Sequence, residues 1–172
     1  MLRGRTVVAA PDNLLIQYED FEYGRFTHVG RTDDRIQFMG YVTYASPKFY
    51  HTQERTPEGQ VIVRENTNCF AVLHRFDTAG RHLGTDVERV NGTRDSGERD
   101  WAKLEEMIAG LGGVNFGDIR VRPFRVEVGG VVHGLIYECQ RWVEDGEEHE
   151  YVMLEPNDIM FHPPWDSGDY ST

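Results

Sequence analysis

The stretch FRVEVGGVVHGLIYECQRWVEDGEEHEYVMLEP, residues 124–156, alternates apolar and polar side chains around two turn dipeptides, Gly129-Gly130 and Asp145-Gly146. Alternation with a period of two marks half-buried strands, and such dipeptides favour two-residue hairpin turns. Together they predict three antiparallel strands in a fixed register. Val128 then faces Val131, Val126 faces His133 and Phe124 faces Leu135; across the second turn Cys139 faces Val152, Tyr137 faces Leu154 and Arg141 faces Glu150. One face carries Phe124, Val126, Val128, Val131, His133, Leu135, Tyr137, Cys139, Val152 and Leu154. The other carries Arg125, Glu127, Glu138, Gln140, Trp142, Tyr151, Met153 and Glu155, a layer for the helix to cover. A one-residue slip would turn every side chain over, so two turns that agree on one apolar face constrain the fold strongly.

A similar hairpin is legible upstream in CFAVLHRFDTAGRHLGTDVERV. With Asp77–Gly80 as its loop, Phe70, Val72, His74 and Phe76 share a face with Leu83, Thr85 and Val87. LLIQYEDFEYGRFTHVG and RIQFMGYVTYAS read as further strands separated by a turn at Thr32-Asp33-Asp34, and Pro57-Glu58-Gly59 marks another turn before QVIVRE. The helical period occurs once. In DSGERDWAKLEEMIAGLGG, Trp101, Leu104, Ile108 and Leu111 form one stripe, Asp95 and Glu98 fit a capping box, and Gly110, Gly112 and Gly113 supply the stop.

These signals predict an α+β fold, mainly antiparallel β, with one central helix at about 97–110. The sheet is expected to be strongly curved, as a barrel or a two-layer sandwich. At 172 residues, the chain fits a single domain: an N-terminal β group at 5–93, the helix, a C-terminal meander at 117–164 and a polar tail at 165–172. A closed barrel of about eight strands would have room for one small ligand.

Charge narrows the function. The net charge is −11, and from Glu138 to Thr172 ten acids stand against the single base Arg141. That concentration argues against a nucleic-acid backbone and favours a basic protein partner. The apolar run in MLRGRTVVAAPDN is too short for a signal-peptide core and no stretch approaches a membrane span, so a cytoplasmic location without membrane contact is expected. Cys69 and Cys139 are read as buried free thiols.

No linear motif announces a cofactor, a metal or a catalytic set. Trp165-Asp166-Ser167-Gly168-Asp169 lacks both outer glycines of the serine-protease string G-D-S-G-G. Asp158 and His162, four residues apart, would stand about 13 Å apart on a strand, too far to share a metal. The remaining candidates are of two kinds. Glu144, Asp145, Glu147, Glu148 and Glu150 form an acidic hairpin tip, which with Trp165 as an anchor suits a basic partner. His74 and His133, with Tyr137 and Glu138, are the positions at which a ligand site or a dispersed active site would be sought. The expected function is a non-enzymatic binding module of the inhibitor or immunity type. A small-ligand barrel or an enzyme with a dispersed His/Glu site is the alternative.

Overall fold

The computed structural model describes residues 10–45, 51–65, 68–92 and 99–172, with backbone alone at 51–54 and 61–65. Two five-stranded antiparallel sheets lie face to face. The first has the order β7-β6-β3-β2-β8, built from β2 (Val29–Thr32), β3 (Gln37–Ala45), β6 (Asn68–Phe76), β7 (His82–Val90) and β8 (Val114–Phe116). The second is the meander β10 (Phe124–Val128), β11 (Val131–Arg141), β12 (Glu148–Glu155), β13 (Ile159–Phe161) and β14 (Tyr170–Ser171). Two short ribbons complete the strands, β1 (Leu14–Ile16) with β9 (Ile119–Val121), and β4 (His51–Arg55) with β5 (Val61–Glu65). The sheets do not close into a barrel, and the two-layer form is the one adopted.

Between the sheets, Val29, Met39, Val72 and Phe76 meet Leu135, Val152, Leu154 and Phe161, with Leu14, Ile16, Ile119 and Val121 of the β1–β9 ribbon in the same core. Each such side chain contributes about 1.5–3 kcal/mol when fully buried. A second core lies on the outer face of the first sheet, where Leu104 and Ile108 of α1 (Ala102–Ala109) cover Phe38, Val42, Ala71 and Leu73. The helix therefore covers the first sheet, and the Glu138–Tyr151–Met153 face of the second is not its seat. Gly40 makes the close approach possible: a Cβ there would sit 2.8 Å from Leu104 Cδ1.

The Gly129-Gly130 hairpin has the expected register, with Phe124 opposite Leu135, Val126 opposite His133 and Val128 opposite Val131. The next hairpin does not. Tyr137 lies opposite Val152, Cys139 opposite Glu150 and Arg141 opposite Glu148, a shift of two residues. The turn is wider than a two-residue loop: Trp142 N donates to Glu147 O and Gly146 N donates to Trp142 O, leaving residues 143–146 as the loop. A slip of two keeps every side chain on its face, so the core is unaffected.

Other departures have local causes. The helix begins at Ala102, whose N–H donates to Asp100 Oδ1 (3.1 Å), leaving Trp101 just outside it; the expected capping box at Asp95 and Glu98 lies outside the described residues. Residues 17–28 form a loop, because the Glu19 carboxylate accepts from the N–H groups of Arg25 and Phe26 and folds the chain back on itself. The C-terminal tail is not frayed. Tyr170 and Ser171 pair with β13, Tyr170 Oη donates to Glu19 at 2.6 Å, and Leu15 N donates to Trp165 O, which holds Trp165 on the core. Cys69 is buried, but Cys139 is exposed because β11 runs on past the inter-sheet core. Among the described residues no helix is long and apolar enough to cross a membrane.

Gly40→Ala should destabilise the fold by about 1–3 kcal/mol by overpacking against Leu104. In a Leu104→Ala background the same change should cost measurably less. Urea unfolding of the four proteins gives the coupling, and strictly additive effects would contradict this account of Gly40.

Candidate functional site

The hairpins of the two sheets bring His74 and His133 together, with ring centroids 6.4 Å apart. A third imidazole joins them. A bulge at Arg75/Phe76 pairs Phe76 with His82, so His82 turns toward the core and Leu83, expected there from strict alternation, is exposed. His82 stacks on Phe124 at 4.2 Å, and Phe124 packs edge-on to His74 at 4.9 Å.

These groups form a hydrogen-bonded chain. Tyr41 Oη lies 2.8 Å from His74 Nε2, His74 Nδ1 lies 2.7 Å from Thr85 Oγ1, and the same oxygen lies 2.7 Å from His82 Nε2. Two sets of tautomers satisfy every bond, with donation running from Tyr41 toward His82 or from His82 toward Tyr41. Among the described residues His133 Nδ1 is buried without a hydrogen-bond partner. Burial lowers the pKa of all three histidines, and at His74 the neighbouring His133 and His82 push it further down. Burial also raises the Tyr41 phenol well above its ordinary range, with the Glu155 charge acting in the same direction. The seam is therefore neutral. Its ring nitrogens do not converge to within 4.8 Å, as metal ligands would.

Tyr41 also lines a cavity of about 450 Å³ at the side of the molecule. Arg25 comes from the 17–28 loop, Arg99 and Trp101 from the approach to α1, Asn157 from the β12–β13 connection and Ile159 from the start of β13. Trp101 is legible in the sequence as part of the helix stripe, but none of these positions marks a site there, because they meet only through tertiary folding.

Neither Glu138 nor Tyr137 belongs to the seam. Glu138 lies on the outer face of the second sheet, accepting from Tyr151 Oη and, at 3.1 Å, from Gln140 Nε2. Tyr137 Oη donates to Glu150 at 2.9 Å and its ring meets Trp165 edge-on at 6.3 Å. The histidines and Glu138 therefore do not assemble into one site. Comparison with protein-family models, curated proteins and solved structures finds no match to the chain.

The acidic tip is a projecting arm. In the second sheet, β10 pairs with β11 only as far as Leu135, and β13 pairs with β12 only from Val152. Beyond those points β11 and β12 pair, among the described residues, only with each other, and the side chains of Cys139–Arg141 and 143–148 are exposed. Trp142 stacks on His149 at 4.0 Å and stiffens the end. Asp145 accepts from Glu147 N (2.9 Å) and pairs with His149 Nε2 (2.7 Å); the first of these leads in holding its carboxyl below the usual range. Glu144, Glu147 and Glu148 are exposed beside Val143, which is fully exposed, while Glu150 turns back to Tyr137.

The histidine seam makes stability pH-dependent. The unfolded chain binds protons near the ordinary histidine value of 6.5, whereas the folded seam resists them, so the stabilisation is complete above that value and is lost as pH falls below it. Urea unfolding from about pH 7.5 to 5 should show this loss. His74→Gln should weaken the dependence, and an unchanged slope would contradict the assignment.

Proposed function

We propose that the protein is a non-enzymatic binding module whose acidic arm engages a basic protein partner, in the manner of an inhibitor or immunity protein. The observation that carries this reading is the arm itself: a two-stranded extension with Glu144, Asp145, Glu147 and Glu148 exposed around an apolar tip, Val143. Among the described residues its one ion pair is internal, His149 with Asp145. Carboxylates left unpaired in this way remain available to guanidinium and ammonium groups, and opposite charge accelerates encounter. The stacked Trp142–His149 pair keeps the tip ordered, which lowers the entropy lost on docking.

The arm also has room to be contacted without disturbing the fold. Its side chains lie beyond the inter-sheet core, so a partner could cover them while both sheets stay packed. Trp165 serves this reading as an internal brace, through Tyr137 and the Leu15 backbone, rather than as part of the contact surface.

The test is affinity capture of partners at low and high salt, with quantification of the bound protein. Glu147→Lys/Glu148→Lys should weaken capture about tenfold or more and reduce its salt sensitivity. Asp20→Lys/Asp34→Lys, which changes net charge equally at exposed sites away from the arm, should leave it near wild type. Equal loss in both variants would reduce the interaction to net charge and refute a role for the arm.

A further inference from the structure

We infer that the cavity beside Tyr41 is a binding site for a small aromatic monoanion, a function separate from the acidic arm. Its volume, about 450 Å³, lies within the range of small-molecule sites. Two guanidinium side chains, Arg25 and Arg99, line it from different segments of the chain. In a protein with 29 acidic side chains against 18 basic ones, most arginines could find a carboxylate. Among the described residues neither of these two forms an ion pair, although Arg75, Arg122 and Arg125 all do.

Arg99 is held in place by neutral contacts. Its guanidinium lies over the Tyr44 ring at 5.2 Å and donates to Val42 O at 3.4 Å. A guanidinium held by neutral contacts, with no carboxylate partner among the described residues, is suited to an anion, and its planar fork matches a carboxylate or sulfonate. Among the described residues Glu22 is the one carboxylate in the lining, so the described charged side chains there sum to +1, the complement of a single negative charge. The net charge of −11 over the whole chain further disfavours polyanions.

The walls specify the rest of the ligand. Trp101 is braced by stacking on His28 at 5.3 Å, and it lines the cavity together with Tyr41. Tyr41 is fixed by His74 and the seam, so its hydroxyl is already bonded. Asn157 adds an amide able to orient a polar substituent. Two rigid aromatic groups, an orienting amide and two arginines describe an aromatic acid.

The experiment uses two fluorescent probes with the same ring system, 8-anilinonaphthalene-1-sulfonate and the uncharged N-phenyl-1-naphthylamine, titrated into the full chain. The sulfonate should bind saturably at one site. Arg25→Gln and Arg99→Gln should each weaken it about tenfold while changing the neutral probe less than about twofold. Trp101→Ala should weaken both probes. Thermal unfolding of the arginine variants should match wild type, since both side chains are exposed. Absence of saturable sulfonate binding, indifference to both arginine substitutions, or equal loss of both probes would overturn the inference. Glu147→Lys/Glu148→Lys should leave probe binding intact, so failure of the arm reading and failure of this one are distinguishable.

Discussion

Each five-stranded sheet has one face that water cannot wet without cost, and each buries it against the other. Leu135, Val152, Leu154 and Phe161 from the meander interlock with Val29, Met39, Val72 and Phe76 from the first sheet. Everything else is arranged around that contact. The first sheet has a second apolar face, through Phe38, Val42 and Leu73, and so requires the helix. The outer side of the meander, with Glu138, Gln140 and Tyr151, is not covered by the helix, which packs on the first sheet. Where β11 and β12 extend beyond the contact, the chain is no longer constrained by burial and can carry charge at little cost to the fold.

One seam of polar groups runs inside the contact, and Gln37 is buried apart from it with its amide bonded to the backbone of Asp77 and Arg120. Tyr41, His74, Thr85 and His82 satisfy one another through hydrogen bonds, so a row of polar groups sits among aromatic rings without leaving all of them orphaned. The exception is His133 Nδ1. The same seam fixes Tyr41 at the wall of the cavity, which links the packing of the sheets to the shape of that cavity.

The sequence was most legible where burial and local turn chemistry agreed. Two glycines fixed the hairpin between β10 and β11, and the Leu104–Ile108 spacing marked the helix. The following hairpin slipped by two because face alternation is blind to even shifts; the stacking of Trp142 on His149 and the Asp145 bond to Glu147 N, which select the wider turn, have no signature in periodicity. His74 and His133 were identifiable as inward-facing, but their meeting depends on how the sheets pack. His82 was hidden by a bulge, and the cavity by loops. The acidic tip was plain in composition, whereas its projection as an arm follows from where strand pairing stops.

Shortening the arm tests its projection as a separate docking element most directly. Residues 142–147 would be replaced by Asn-Gly, joining Arg141 to Glu148 by a two-residue turn in their existing register. Thermal unfolding and partner capture would then be measured on the same sample. An unchanged unfolding midpoint with capture lost is the predicted result. Capture that survives the deletion, or a collapse of stability, would show that the arm is not a separate docking element.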